Sequence, residues 1–299
     1  MVRSLLSLYF LYFCILFESR FKIDLESCMR KRSHLILIGG AEDKTGSKLI
    51  LKKIVRTVRP KNIALIPTAT GYPRDMYEGY YDAFRSLGVE DVLMMDIRYR
   101  DEVDREEHFR TLDRSDMIFI GGGDQVKLLD IFAHSRLLGE IKRRFFSGTL
   151  PVAGTSAGAA AACSPMIYDG DYRGFERGEV KGTEGLGFIE GVAIDTHFLQ
   201  RERIPRLTQF VLKEKISKAI GIDEDTAIFI GSDLRAKVVG SNMVTVLNTD
   251  KVNYSDLNSI NDRALLTVNN MRVGFLSPGN TFSIKRWSVL KPWAAVKKN

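Results

Sequence analysis

The residue type and spacing best suited to chemistry centre on Ser156, in the run LPVAGTSAGAAAA from Leu150 to Ala162. Gly154-Thr155-Ser156-Ala157-Gly158 fits G-x-S-x-G, a strand-to-helix turn so tight that its flanks tolerate little side chain. Such a turn leaves the serine hydroxyl exposed as a nucleophile for a carbonyl carbon. The backbone N–H of Ala157, at the start of the following helix, would hold the oxyanion formed by that attack. The five residues alone are a weak signal, because a Gly/Ala-rich turn also serves plain helix–strand contact.

A serine nucleophile needs a base, and the base needs a carboxylate to fix its tautomer. The chain has four histidines, few enough to take one by one. His34 precedes a strand, His108 lies in a charged helix beside Glu106 and Glu107, and His134 follows a helix end; these read as solvated or capping residues. His197 sits at a strand end in a charge-dense context, which makes it the candidate base. Glu224, in Gly221-Ile222-Asp223-Glu224-Asp225, is the candidate orienting acid. Asp195 competes with it, lying two residues before His197 and therefore on the same strand face. The order Ser, His, Glu differs from the Ser, Asp/Glu, His order of α/β-hydrolases. Gly121-Gly122-Gly123 precedes Asp124-Gln125 and reads either as a flexible turn or as a second loop whose Gly123 N–H completes an oxyanion hole opposite Ala157.

These residues need a scaffold. Short apolar runs at Leu35–Ile38, Ile63–Ile66, Val92–Met95, Asp116–Ile120 and just before Ser156 alternate with helical spacing over Asp43–Arg59, Met76–Leu87, Glu102–Leu112, Gln125–Phe132 and Leu137–Phe146. The pattern predicts an α/β fold, a doubly wound and mostly parallel sheet with flanking helices. In such sheets ligands bind beyond the carboxyl ends of the strands, where Gly39-Gly40, Thr68–Gly71, Gly121–Gln125 and Gly154–Gly158 all fall. None of these glycines has the G-x-G-x-x-G spacing of a dinucleotide site, and no cofactor is expected. Residues 165–190, rich in glycine and charge, read as a long irregular excursion of the kind that forms lids or binding loops. Val192–Asp195, Ala219–Asp223 and Ala227–Ile230 read as strands and Ile204–Lys213 as a helix; Leu234–Asn299 reads as a C-terminal antiparallel β extension of the same domain.

At 299 residues and 44% hydrophobic content the chain can bury a sizeable core. Its net charge of +7 is scattered, without a nucleic-acid-binding signature, so no nucleic-acid partner is expected. Cys14, Cys28 and Cys163 form no C-x-x-C pair; a disulfide framework and a metal site are not expected, and reduced thiols suit the cytoplasm. Residues 1–33 stand apart as an N-terminal extension to a single domain over 34–299. Leu5–Phe17, 13 nearly unbroken apolar residues, reads as a membrane anchor, as an export signal, or as sequence upstream of a true start at Met29. The last reading is preferred, and membrane contact or export follows only from the first two.

The segments LILIGGAED (35–43), IALIPTAT (63–70), IFIGGGDQ (118–125), GTSAGA (154–159), DTHFLQRERIPRL (195–207) and GIDEDTA (221–227) together resemble the cyanophycinase family of serine peptidases. That family is related to aspartyl dipeptidase and more distantly to class I glutamine amidotransferase-like, flavodoxin-like folds. The resemblance spans about residues 34–285. It implies Ser156, His197 and Glu224 as the catalytic triad and hydrolysis of cyanophycin, an aspartate backbone with arginine on each β-carboxyl, into β-Asp-Arg dipeptides. Gln125, Asp195, Arg201, Arg203 and Arg206 match its substrate pocket, with Thr196 a further candidate position among them; arginine forks suit carboxylates and acidic residues suit guanidinium groups. Thr196 stands where the family commonly has glutamine, which weakens the expectation of strict cyanophycin specificity. A homodimer is also expected. The alternatives are a dipeptidase or isopeptidase for small α- or β-aspartyl peptides, and a non-catalytic peptide binder.

Overall fold

The computed structural model describes residues 33–171 and 173–291. The apolar run Leu5–Phe17, with Cys14 and Cys28, lies outside them. Among the described residues no helix is long and apolar enough to cross a membrane, and no three His, Cys, Asp or Glu side chains gather as a metal site would need.

The first half alternates strands and helices: β1 (Leu35–Ile38), α1 (Leu49–Val58), β2 (Asn62–Ile66), α2 (Pro73–Arg85), β3 (Asp91–Met94), α3 (Glu106–Asp113), β4 (Met117–Ile120), α4 (Gln125–Phe132), α5 (Arg136–Phe146) and β5 (Val152–Thr155). Then come α6 (Ala157–Ala161), four short strands β6 (Cys163–Ser164), β7 (Met166–Asp169), β8 (Lys181–Thr183) and β9 (Ile189–Glu190), and β10 (Ala193–Thr196) with α7 (Ile204–Lys213). The remainder is β11 (Lys218–Ile222), β12 (Thr226–Ile230), β13 (Arg235–Gly240), β14 (Val244–Asn248), β15 (Tyr254–Ser255), β16 (Val268–Asn269), β17 (Arg272–Leu276), β18 (Thr281–Ser283) and β19 (Ser288–Lys291).

Nine strands form the main sheet, and β1-β5-β4-β2-β3 within it are parallel, as the continuous apolar runs predict. Strand alternation divides its core in two. Ile36, Ile38, Ile63 and Leu65 pack with Ile50, Ile54 and Phe84 of α1 and α2, while Leu35, Leu37, Ala64 and Ile66 pack with Leu128, Ile141 and Phe145 of α4 and α5. Strands β12, β13, β18 and β19 extend the sheet antiparallel from β1.

The apolar runs after residue 190 are strands, and the structure shows which sheet receives each. Strands β10 and β11 do not join the main sheet; they pair in parallel at the edge of a second sheet ordered β10-β11-β14-β17. One face of that sheet, with Ile194, Ile220 and Val244, joins the α4 and α5 side of the core, and the other, with Ala193 and Leu247, meets Leu207 and Phe210 of α7. The segment after Leu234 is accordingly divided between two sheets. Apolar alternation shows that a stretch is a strand without showing which sheet receives it.

Residues 165–190 are not wholly irregular, since β7 and β8 pair as an antiparallel ladder. Helix α1 starts at Leu49 rather than Asp43. The Asp43 carboxylate accepts hydrogen bonds from the Thr45, Gly46 and Lys48 N–H groups and the Ser47 hydroxyl, at 2.7–3.0 Å, and so makes a turn where the periodicity suggested helix. Those donors hold its carboxyl well below the usual range. His108 is buried on α3 rather than solvated, and its burial lowers its pKa.

Candidate active site

Ser156 joins β5 to α6 at φ 50° and ψ −113°, a positive-φ backbone that a non-glycine residue adopts only when its surroundings impose it. The packing imposes it here. A Cβ on Gly154 would lie 2.4 Å from the Gly158 carbonyl oxygen, and one on Gly158 would lie 2.4 Å from that of Ile120. Neither glycine can therefore carry a side chain, and the turn stays tight. The Ser156 N–H donates to the Ile38 carbonyl at 2.9 Å, which fixes the turn to β1.

The Ser156 hydroxyl lies 2.7 Å from His197 Nε2, and His197 Nδ1 lies 2.7 Å from Glu224 Oε1. A carboxylate only accepts, so Nδ1 carries the hydrogen toward Glu224 and Nε2 is free to accept from Ser156. His197 sits just past β10 at φ 46°, its N–H held by the Gly39 carbonyl at 2.8 Å. Gly40 presses on the imidazole so closely that a Cβ there would come within 2.4 Å of Cε1. Glu224 lies between β11 of the second sheet and β12 of the main one, its N–H taken by Gln200 Oε1 at 3.1 Å. The three side chains thus come from the seam between the sheets. Because His197 has left the strand, the two-residue spacing that made Asp195 a competitor does not apply to it.

Burial lowers the His197 pKa; the Glu224 hydrogen bond works against this, and the charges of Arg201 and Arg203 add to it. A histidine shifted downward is neutral, and able to accept a proton, through the neutral range. The acid limb of kcat/KM is therefore expected below the ordinary histidine value of 6.5. Arg201→Ala removes a positive charge and should move that limb to higher pH, as a pH–rate profile would show; an unmoved or lower limb would contradict it. Cys163, close after the elbow, is no rival nucleophile, because burial pushes its thiol up to about 12.

The remaining expected residues divide into two groups. Gly122 flanks the serine, since a Cβ on it would lie 3.1 Å from Ser156 Cβ; Gly123, at φ 135°, backs onto the Ala69 carbonyl. Asp124 caps α4 by accepting from the Val126 N–H at 2.8 Å, and the Gln125 amide faces the Ile167 and Tyr168 carbonyls at 3.4 Å. Arg201 is exposed. By contrast Asp195, Thr196 and Arg206 are buried and bonded to one another's surroundings. Arg206 grips both Asp195 carboxylate oxygens, with Nε to Oδ2 at 2.7 Å, while Arg203 reaches Asp195 at 3.3 Å and the Thr196 carbonyl at 2.6 Å. Burial brings the Arg203 pKa down to about 10. These four therefore brace the connection that carries His197, and of the arginine group only Arg201 offers a free fork. Asp195 and Arg206, 11 residues apart along the chain, leave no local sign of their pairing in the sequence.

Residues that sequence reading passed over also hold the site. Asp223 accepts from the Leu199 and Met243 N–H groups at 3.0 and 3.1 Å, tying the His197 loop to β14, and its burial raises its pKa. Its only sign in the sequence is its place beside Glu224. Glu42, Tyr80 and Thr155 form a buried group beneath the elbow, with no spacing to announce it.

The profile of peptidase family S51 matches residues 35–237, more than half of the chain. A cyanophycinase of Geminocystis herdmanii is 31% identical over 257 residues, covering 85% of this chain and 94% of that one. A cyanophycinase of Trichormus variabilis is 31% identical over 271 residues, covering 90% and 91%. The crystal structure of a peptidase from an acI-B1 Actinobacterium superposes with a TM-score of 0.61 over 84% of this chain and 97% of that one; at 23% identity this is a likeness of fold. The match in sequence over most of the chain means that it belongs to peptidase family S51 and is a serine peptidase.

Proposed function

We propose that the protein hydrolyses cyanophycin to β-Asp-Arg dipeptides through an acyl-enzyme on Ser156. The observation that carries the reading is the continuous 2.7 Å and 2.7 Å path from the Ser156 hydroxyl through His197 to Glu224. Relatives named cyanophycinase, 31% identical over most of their length, support the substrate.

Ser156 Oγ bonds to the carbonyl carbon of an aspartyl backbone amide as its proton passes to His197 Nε2. Glu224 stabilises the imidazolium so formed. The carbonyl oxygen takes the negative charge and is met by the N–H groups of Ala157 and Gly123. Collapse breaks the C–N bond, and the proton on Nε2 goes to the leaving amine. Water then attacks the ester with His197 again as base, releasing the dipeptide and restoring the serine hydroxyl. Exposed Arg201 is suited to fork onto a substrate carboxylate next to the reacting bond.

The test compares initial rates on insoluble cyanophycin and on soluble α- and β-aspartyl dipeptides, with products identified by mass spectrometry. Release of β-Asp-Arg from the polymer, faster than dipeptide cleavage, is expected. Cleavage of dipeptides alone would transfer the assignment to a small-peptide dipeptidase.

A further inference from the structure

We propose that Glu42 is a positioning residue for the nucleophile turn, acting through the Thr155 hydroxyl; the proposal rests on the reading of Ser156 as nucleophile. The segment Ile38–Glu42, where the chain leaves β1, touches every part of the site. The Ile38 carbonyl accepts from Ser156, the Gly39 carbonyl accepts from His197 at 2.8 Å, and the Gly40 carbonyl accepts at 2.9 Å from Asp225, the neighbour of Glu224. Ala41, at φ 50°, then turns the chain so that Glu42 points inward. Its carboxylate is buried, at 4% exposure, directly below the elbow.

Each Glu42 oxygen takes one hydroxyl. Thr155 donates to Oε2 at 2.8 Å and Tyr80 donates to Oε1. Burial and the nearby carboxylate hold the Tyr80 phenol well above its ordinary pKa, so it remains a donor. Among the described residues Glu42 forms no ion pair. The Lys44 ammonium lies over the Tyr80 ring instead, 4.9 Å from its centre. A buried carboxylate met only by neutral donors is a poor source of stability. What it supplies is direction: Thr155, paired with Ile38 across the sheet, is held by its side chain as well as its backbone, immediately before the residue at positive φ. Two tethers on one side of a strained turn fix where the Ser156 hydroxyl points.

The test measures inactivation of the full chain by a fluorophosphonate, which needs an activated serine and no knowledge of the substrate. Thr155→Val removes the tether, Thr155→Ser restores it, and Glu42→Gln removes the charge while keeping the shape. A misplacement of the order of an ångström costs about a hundredfold, so kinact should fall roughly 10- to 100-fold in Thr155→Val with KI within about twofold of the parent. Thr155→Ser should recover most of the rate, and Glu42→Gln should fall between the two. A lower melting temperature with unchanged kinact in the folded protein would overturn the proposal and leave the group a structural one. Ser156→Ala separates the two claims: labelling that persists in it refutes the nucleophile itself. Labelling lost in Ser156→Ala but unaltered in Thr155→Val and Glu42→Gln refutes only the role of Glu42.

Discussion

Replacing Ser156 with alanine should lower turnover by on the order of 10⁶-fold while leaving the fold intact. The Ser156 side chain makes one hydrogen bond, to His197, and the positive-φ backbone is imposed by Gly154, Gly158 and Ile38 rather than by the hydroxyl. Stability should therefore change by no more than about 0.5 kcal/mol. His197→Ala should cost about as much as Ser156→Ala, and the double variant little more, because the two act as one unit. Glu224→Gln keeps the shape but disfavours the required tautomer, with an expected loss of about 10⁴-fold. Steady-state rates beside thermal melts check the series. If Asp195→Asn lowered kcat more than Glu224→Gln at a temperature where both are folded, Asp195 rather than Glu224 would be the orienting acid.

The second large effect concerns stability. Asp195 is fully buried, and Arg206, at 4% exposure, covers both of its oxygens while also donating from Nη1 to the Gly170 carbonyl at 2.8 Å. Arg206→Met would leave a buried carboxylate with the Thr196 N–H at 2.8 Å and the longer Arg203 contact but without its bidentate partner, at a cost of about 3–5 kcal/mol. For a chain of this size that corresponds to a fall in melting temperature of roughly 6–20 °C. The bond to Gly170 also anchors the segment between β7 and β8, so protection from hydrogen exchange should fall there first. An unchanged melting temperature would mean that Arg206 is available to substrate, as the family resemblance suggests, and that the buried pair is not what braces β10.

Parts of this architecture are readable from sequence, and the reasons are local. Runs such as Leu35–Ile38 and Met117–Ile120 announce parallel strands because both faces must be apolar, and Ser156 stands out because its turn admits only glycine on either side. His197 and Glu224 can be singled out because the chain has few histidines and an acidic group follows a strand. The second sheet was not legible, since β10 and β11 carry the same apolar signature as the strands of the first. Nor were the tasks of Arg206 and Glu42. Arg206 looks like a basic residue at a helix start until β10 is seen to bring Asp195 beneath it. Glu42 and Thr155 are 113 residues apart and meet only because β1 and β5 are neighbours. Charges whose partners arrive through sheet pairing leave no periodic trace.

The central claim is that His197 activates Ser156, and the most direct measurement is to treat the purified full chain with a fluorophosphonate and map the adduct by mass spectrometry. A single adduct on Ser156, lost in His197→Ala and strongly slowed in Glu224→Gln, is the predicted result. An adduct on another serine, or labelling of Ser156 that is indifferent to His197, would contradict it.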